Sequence, residues 1–207
     1  MLGFYDYTVV LTYLSVISGV IGIIQAAGYG NTKIAVICLM ISGICDMFDG
    51  KVASTKKDRT QDQKDFGIQI DSMCDLVCFG VLPVCIGLSL GITSIFGFTF
   101  MALYVLAAVI RLSFFNVQEK NRQAETDGHR EYYRGLPVTM SAVIFPLVFL
   151  MQPKLGNRFN LIFQSAMLAV AVLFVLDFKV KKADKKMMIM LCIFGLLIAF
   201  QYVTKGI

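Results

Sequence analysis

Long apolar runs broken by short polar stretches make up most of the chain, and their length is that of a bilayer-spanning helix. Seven such segments can be drawn, at about 7–27, 33–52, 67–90, 93–115, 136–152, 158–177 and 187–204. The connections between them leave no room for a soluble domain. The pattern predicts an all-α integral membrane protein, a polytopic helical bundle forming a single transmembrane domain over residues 1–207. Its core, carrying the candidate site, covers about 8–177, and about 187–204 is an additional C-terminal helix. The first segment has no basic region before it and no small-residue cleavage site after it, so it reads as a retained helix.

The apolar pattern is interrupted in one informative place, from Asp46 to Asp75. Asp46 and Asp49 are three residues apart and Asp71 and Asp75 four apart, so each pair shares one helix face. A carboxylate at bilayer depth costs roughly 2.5 to 3.5 kcal/mol, so four without compensation approach about 10 kcal/mol. Two divalent cations would balance four negative charges, and hard cations prefer carboxylate oxygens. Ser42, Gly43, Gly50 and Ala53 lie on the same stripe as Asp46 and Asp49, and Gly67 precedes Asp71 by four. Carboxylates flanked by residues with little side chain leave room for a bulky ligand on a metal. The acidic ends of spans 2 and 3 meet at one surface, which argues against a polar path through the whole bilayer.

Composition agrees with the hydropathy pattern. The chain is 57% hydrophobic and 16% charged, with a mean hydropathy of +0.72, outside the range of a soluble domain. The net charge of +5 matters through its distribution: if the spans alternate, 15 of the 19 Lys and Arg residues fall on one side. By the positive-inside rule that side, the N-terminus and the acidic cluster face the cytoplasm. The basic residues thus read as a topology signal and a contact for anionic lipid, with no nucleic-acid partner implied. The six cysteines lie in apolar spans and read as small packing residues.

Outside the acidic stretch, chemistry-bearing residues are few. Span 1 shows none, only Ser15, Ser18, Gly19 and Gly22 suited to a close helix neighbour. Residues 54–66 read as a charged connection. Arg111 sits inside a hydrophobic segment, with Asn116 nearby, and Arg130 and Arg134 follow in the next loop. Arginine holds carboxylate or phosphate through its planar fork, so these are candidate anion ligands. The residues by themselves imply metal, phosphate and a membrane, leaving an enzyme, a divalent-cation transporter or a scaffold open.

The acidic stretch resembles the signature of the CDP-alcohol phosphotransferase family, Asp-x-x-Asp-Gly-x-x-Ala-Arg followed by Gly-x-x-x-Asp-x-x-x-Asp. Asp46, Asp49, Gly50, Ala53, Gly67, Asp71 and Asp75 match seven of its eight fixed positions. Phe66 to Ser72, Phe79 to Pro83, Arg111 with Phe115 and Asn116, and Gly135-Leu136-Pro137 resemble its phosphatidylserine synthase branch. The resemblance covers roughly residues 8–150. It implies six core helices, a homodimer, and metal-dependent transfer of a phosphatidyl group from CDP-diacylglycerol to the hydroxyl of L-serine, with release of CMP. Glycerol phosphate or inositol phosphate remains an alternative acceptor.

By the same resemblance, Asp46, Asp49 and Asp71 hold one magnesium or manganese ion, and Asp46, Asp71 and Asp75 a second. Asp75 is also the general base. Gly50, Ala53 and Gly67, with Lys51 and position 54, belong to the CDP-lipid site, and Arg111, Asn116, Arg130 and Arg134 are the acceptor candidates. The chain departs from the signature twice. The arginine after Ala53 is Ser54, and the spacer Thr55–Phe66 is longer than the family's. The expected substitutes for the missing cation are Lys51, Lys56 and Lys57.

Overall fold

The computed structural model describes residues 3–125 and 132–181. The order of elements is α1 (Tyr7–Gly28), α2 (Thr32–Ala53), α3 (Gln61–Ser89), α4 (Ile95–Glu125), strand β1 (Tyr132–Arg134), α5 (Val138–Phe149), α6 (Phe159–Val175) and strand β2 (Lys179–Lys181). Helices α1, α3 and α4 are long and apolar enough to cross a membrane, and α5 and α6 are apolar but shorter. Each of the first six expected spans is helical over most of its length. The seventh, 187–204, lies outside the described residues.

The helix starts follow local chemistry. Asp6 caps α1 by accepting from the Thr8 amide at 2.8 Å, and Asn31 caps α2 by accepting from the Ile34 amide at 3.2 Å. Thr60 and Gln63 form a reciprocal capping box, Gln63 N to Thr60 Oγ1 at 3.3 Å and Thr60 N to Gln63 Oε1 at 3.1 Å. That box starts α3 six residues before the expected 67, so the charged connection shrinks to residues 54–60. The Thr-x-x-Gln signature was present in the sequence, but hydropathy alone does not register it.

Helices α1 and α2 are joined by a polar ladder within their apolar contact. Ser18 Oγ donates to the Cys38 carbonyl at 3.0 Å, while Ser15 and Ser42 each donate to the other's carbonyl, at 3.3 and 2.9 Å. Such bonds between membrane helices contribute about 0.6 kcal/mol each on average. Small residues bring backbones close: a Cβ at Gly19 would meet Cys78 Sγ at 2.6 Å, and one at Gly43 would meet Ala142 Cβ at 2.5 Å.

Helix α3 carries a proline in its interior, Pro83, two residues after the end of a widened π-type turn over Leu76–Val81. Proline lacks an N–H and crowds the carbonyl four residues back. That carbonyl is Phe79's, and it accepts from the buried Tyr104 hydroxyl of α4 and, at 3.5 Å, from Ser141 Oγ. Tyr104 in turn packs on Phe145 and Phe174, with ring centroids 5.5 Å apart in both cases. The proline is thus tolerated because a neighbouring helix serves the oxygen it abandons.

One element departs from the all-α expectation. Tyr132–Arg134 and Lys179–Lys181 pair antiparallel as a short ribbon, and Arg134 also binds Asp177 through Nε at 3.1 Å and Nη2 at 2.8 Å. Three-residue strands in charged loops have no hydrophobic alternation to reveal them.

Candidate active site

The two aspartate pairs, Asp46 with Asp49 and Asp71 with Asp75, converge where the C-terminal part of α2 meets α3. Carboxylate oxygens of Asp46, Asp49 and Asp71 lie within 4.8 Å of one another. Asp75 completes the group: its carboxyl is within hydrogen-bonding reach of Asp46, as Asp71 is of Asp49. Asp49 and Asp75 are each 8% exposed, and Asp46 and Asp71 are half-buried.

Carboxylates held this close repel unless a proton or a cation lies between them. The ion pairs Lys56–Asp6, Lys120–Asp65, Arg122–Glu119 and Arg134–Asp177 lie elsewhere. The donor set is all oxygen, and two oxygens bound to one hard cation at about 2.1 to 2.6 Å sit up to about 4 to 5 Å apart. The cluster therefore fits divalent ions of the magnesium, manganese or calcium type and offers nothing for a soft metal.

Thr12 joins the site from α1, donating through Oγ1 to Asp49 Oδ2 at 3.1 Å. Sequence reasoning missed it, because a lone threonine in an apolar span looks like packing. A hydroxyl that orients a carboxylate fixes which lone pairs remain for an ion.

The small residues differ in their surroundings. Around Gly50 no atom lies within 4 Å of where a Cβ would stand, so the helix surface beside Asp46 and Asp49 is open. Ala53 is half-buried. Gly67 is covered by the Arg59 guanidinium, whose Nη2 would lie 2.5 Å from a Cβ at that position. Ser54 folds its hydroxyl back onto the Lys51 carbonyl at 2.7 Å, and Lys51 Nζ lies 5.6 Å from the Phe48 ring centre.

The acceptor candidates are spread apart. Arg111 is 6% exposed, donates through Nε to the Leu136 carbonyl at 3.2 Å and stacks on Phe115 at 5.6 Å. It thereby holds the Gly135-Leu136-Pro137 turn, where Gly135 has φ +74° and a Cβ would meet the Leu176 carbonyl at 3.0 Å. Asn116 accepts from Ser72 Oγ at 2.5 Å and donates to Gln69 Oε1 at 3.5 Å, which puts it against the α3 segment that carries Asp71 and Asp75. Arg134 is engaged with Asp177 in the ribbon. Arg130 lies outside the described residues.

Known proteins resemble this chain in sequence. The profile of the CDP-alcohol phosphatidyltransferase family matches residues 7–177. The CDP-diacylglycerol–serine O-phosphatidyltransferase of Saccharomyces cerevisiae is 30% identical over 113 residues, covering 53% of this chain and 40% of the yeast protein. The chain thus aligns with less than half the length of that relative. The Helicobacter pylori protein of the same name is 28% identical over 205 residues, covering 92% of this chain and 80% of its own length. An archaetidylserine synthase of Methanothermobacter thermautotrophicus is 28% identical over 175 residues, covering 84% and 69%. With its profile matched from the first helix to the last residue of the Asp177 ion pair, the chain belongs to the CDP-alcohol phosphatidyltransferase family.

Proposed function

We propose that this chain transfers the phosphatidyl group of CDP-diacylglycerol to the hydroxyl of L-serine, giving phosphatidylserine and CMP, in a reaction that requires two divalent ions. The observation that carries the reading is the pairing of Asp46 with Asp75 and of Asp49 with Asp71 across two helices, beside the open surface at Gly50. Serine as acceptor is supported by the names of the yeast and Helicobacter relatives.

In this reading Asp46, Asp49 and Asp71 hold one ion and Asp46, Asp71 and Asp75 the other, magnesium or manganese in either case. When bound, the ions neutralise the donor diphosphate and the charge that develops on departing CMP. Thr12 keeps Asp49 oriented. Gly50 and Ala53 leave space for the cytidine moiety, whereas the room expected beside Gly67 is taken by the Arg59 guanidinium. Asp75 takes the proton of the serine hydroxyl as its oxygen bonds to phosphorus and the bond from phosphorus to the CMP oxygen breaks. A carboxylate that also holds an ion is a weak base, so this proton moves late. Asn116 of α4, bonded to Gln69 and Ser72 of the α3 segment that carries Asp71 and Asp75, is the candidate for meeting the acceptor, and Arg111 and Arg134 supply carboxylate-binding cations only if their present partners yield.

The chain is read as one multi-pass domain of the cell membrane, with six core spans, a further C-terminal one and a homodimeric assembly. The basic excess on one side supports a cytoplasmic site. The test is CMP release from CDP-diacylglycerol by the purified chain, with serine, glycerol 3-phosphate or inositol phosphate in turn, with and without magnesium or manganese. Release that needs both serine and metal is expected. Metal flux through liposomes without CMP release sinks the reading in favour of a transporter.

A further inference from the structure

Ser54 stands where the signature has an arginine, and two of the neighbouring basic residues are engaged. Lys51 lies over Phe48, and Lys56 pairs with Asp6 at 3.0 Å. Arg59 is placed differently. It precedes the Thr60 cap, and its side chain folds back along the first turns of α3, with Nη2 donating to the Gln63 carbonyl at 2.9 Å. From there the guanidinium lies directly on Gly67, where any side chain would displace it. Its Nε is buried and has no hydrogen-bond partner. Gly67 is four residues before Asp71, a rise of about 6 Å along the helix. An arginine fork with an unserved buried donor thus stands about one helical turn from the carboxylate cluster.

A buried N–H of a charged group calls for a strong acceptor, and phosphate oxygens match the arginine fork. We propose that Arg59 binds the diphosphate of the CDP-linked donor, reaching the site across Gly67 from the connection between α2 and α3. This rests on the donor-site reading of the four aspartates. It gives Gly67 its role, as the gap through which the guanidinium reaches the ligand.

The experiment compares wild type, Arg59→Gln and Arg59→Lys, each as the full chain in lipid nanodiscs with manganese. CDP binding is read by calorimetry, manganese binding by electron paramagnetic resonance, and KM separately for CDP-diacylglycerol and serine. Arg59→Gln should weaken CDP binding and raise the donor KM by about tenfold or more, with manganese binding and the serine KM unchanged. Arg59→Lys keeps the charge but not the fork, so a loss of about threefold is expected. Wild-type CDP affinity in either variant overturns the proposal, as does a change confined to the serine KM. If Arg59→Gln does not fold, the Arg59→Lys comparison decides. A wild-type chain that binds manganese but neither CDP nor CDP-diacylglycerol instead defeats the donor-site reading, and Arg59's role falls with it.

Discussion

Tyr104 of α4 donates its hydroxyl to the carbonyl of Phe79 in α3, the oxygen that Pro83 has no N–H to serve. The bond fixes the widened turn that directly follows Asp75, so it links packing in the middle of the bundle to the end of the carboxylate cluster. Tyr104→Phe keeps the ring among Phe145 and Phe174 and removes only the donor. The variant should lose about 1 kcal/mol of stability, since a buried carbonyl goes without its main partner. Unfolding by denaturant in detergent micelles measures this, and unchanged stability would mean that Ser141 alone satisfies the oxygen.

Asp6 ties the N-terminus to the connection that carries Arg59. Its carboxylate accepts from the Thr8 hydroxyl and amide and pairs with Lys56 at 3.0 Å, while Tyr7 and Thr55 hydroxyls meet at 3.1 Å. The Thr8 hydroxyl first, and then Lys56, hold the Asp6 carboxyl down at about 2. Because that value lies below the ordinary one of about 3.9, the stabilisation is complete above the ordinary value and is lost as pH falls through about 2. The chain has no tryptophan, so Lys57→Trp reports on the loop. Its emission should shift between about pH 4 and 2, and adding Asp6→Asn should produce the shifted emission already at neutral pH. A response of the double variant identical to that of Lys57→Trp alone removes the tether from the account.

The helices and the four aspartates were legible because each leaves a periodic trace: apolar runs of bilayer length, and acids spaced by three and four on one face. What stayed hidden depends on single contacts between distant segments. Thr12 is one hydroxyl in an apolar helix, and nothing about position 12 announces a partner 37 residues away. Arg59 sits in a run of mixed charges that reads as solvated, and its value comes from folding back over Gly67. Arg134 looked like an anion ligand for the same reason that it binds Asp177: its fork suits any carboxylate, and sequence cannot say which one is in reach. The start of α3 was missed because its first turns are polar, and there the cap, not hydropathy, sets the boundary.

The base assignment predicts a clean separation of binding from turnover. Asp75→Asn retains an oxygen for an ion but cannot accept the serine proton. Transfer should fall by about 100-fold to 10,000-fold, the usual worth of a positioned base, while CDP binding changes little. Wild-type rate in this variant rules Asp75 out as the base. A fall in CDP binding that matches the fall in rate would assign Asp75 to holding the ions alone.

Thr12 predicts an effect of a different kind, since it touches a carboxylate rather than the reacting atoms. Thr12→Val preserves shape and removes the hydroxyl, leaving Asp49 without the donor that orients it. Loss of such a supporting bond usually costs about 10-fold to 100-fold in metal affinity or activity. The manganese concentration giving half-maximal CMP release should therefore rise about tenfold or more, while the rate at saturating manganese recovers most of the wild-type value. Thr12→Ser, which keeps the hydroxyl, should restore the wild-type requirement. If Thr12→Val instead lowers the saturated rate and leaves the manganese requirement unchanged, the threonine acts through helix packing between α1 and α2 and not through Asp49.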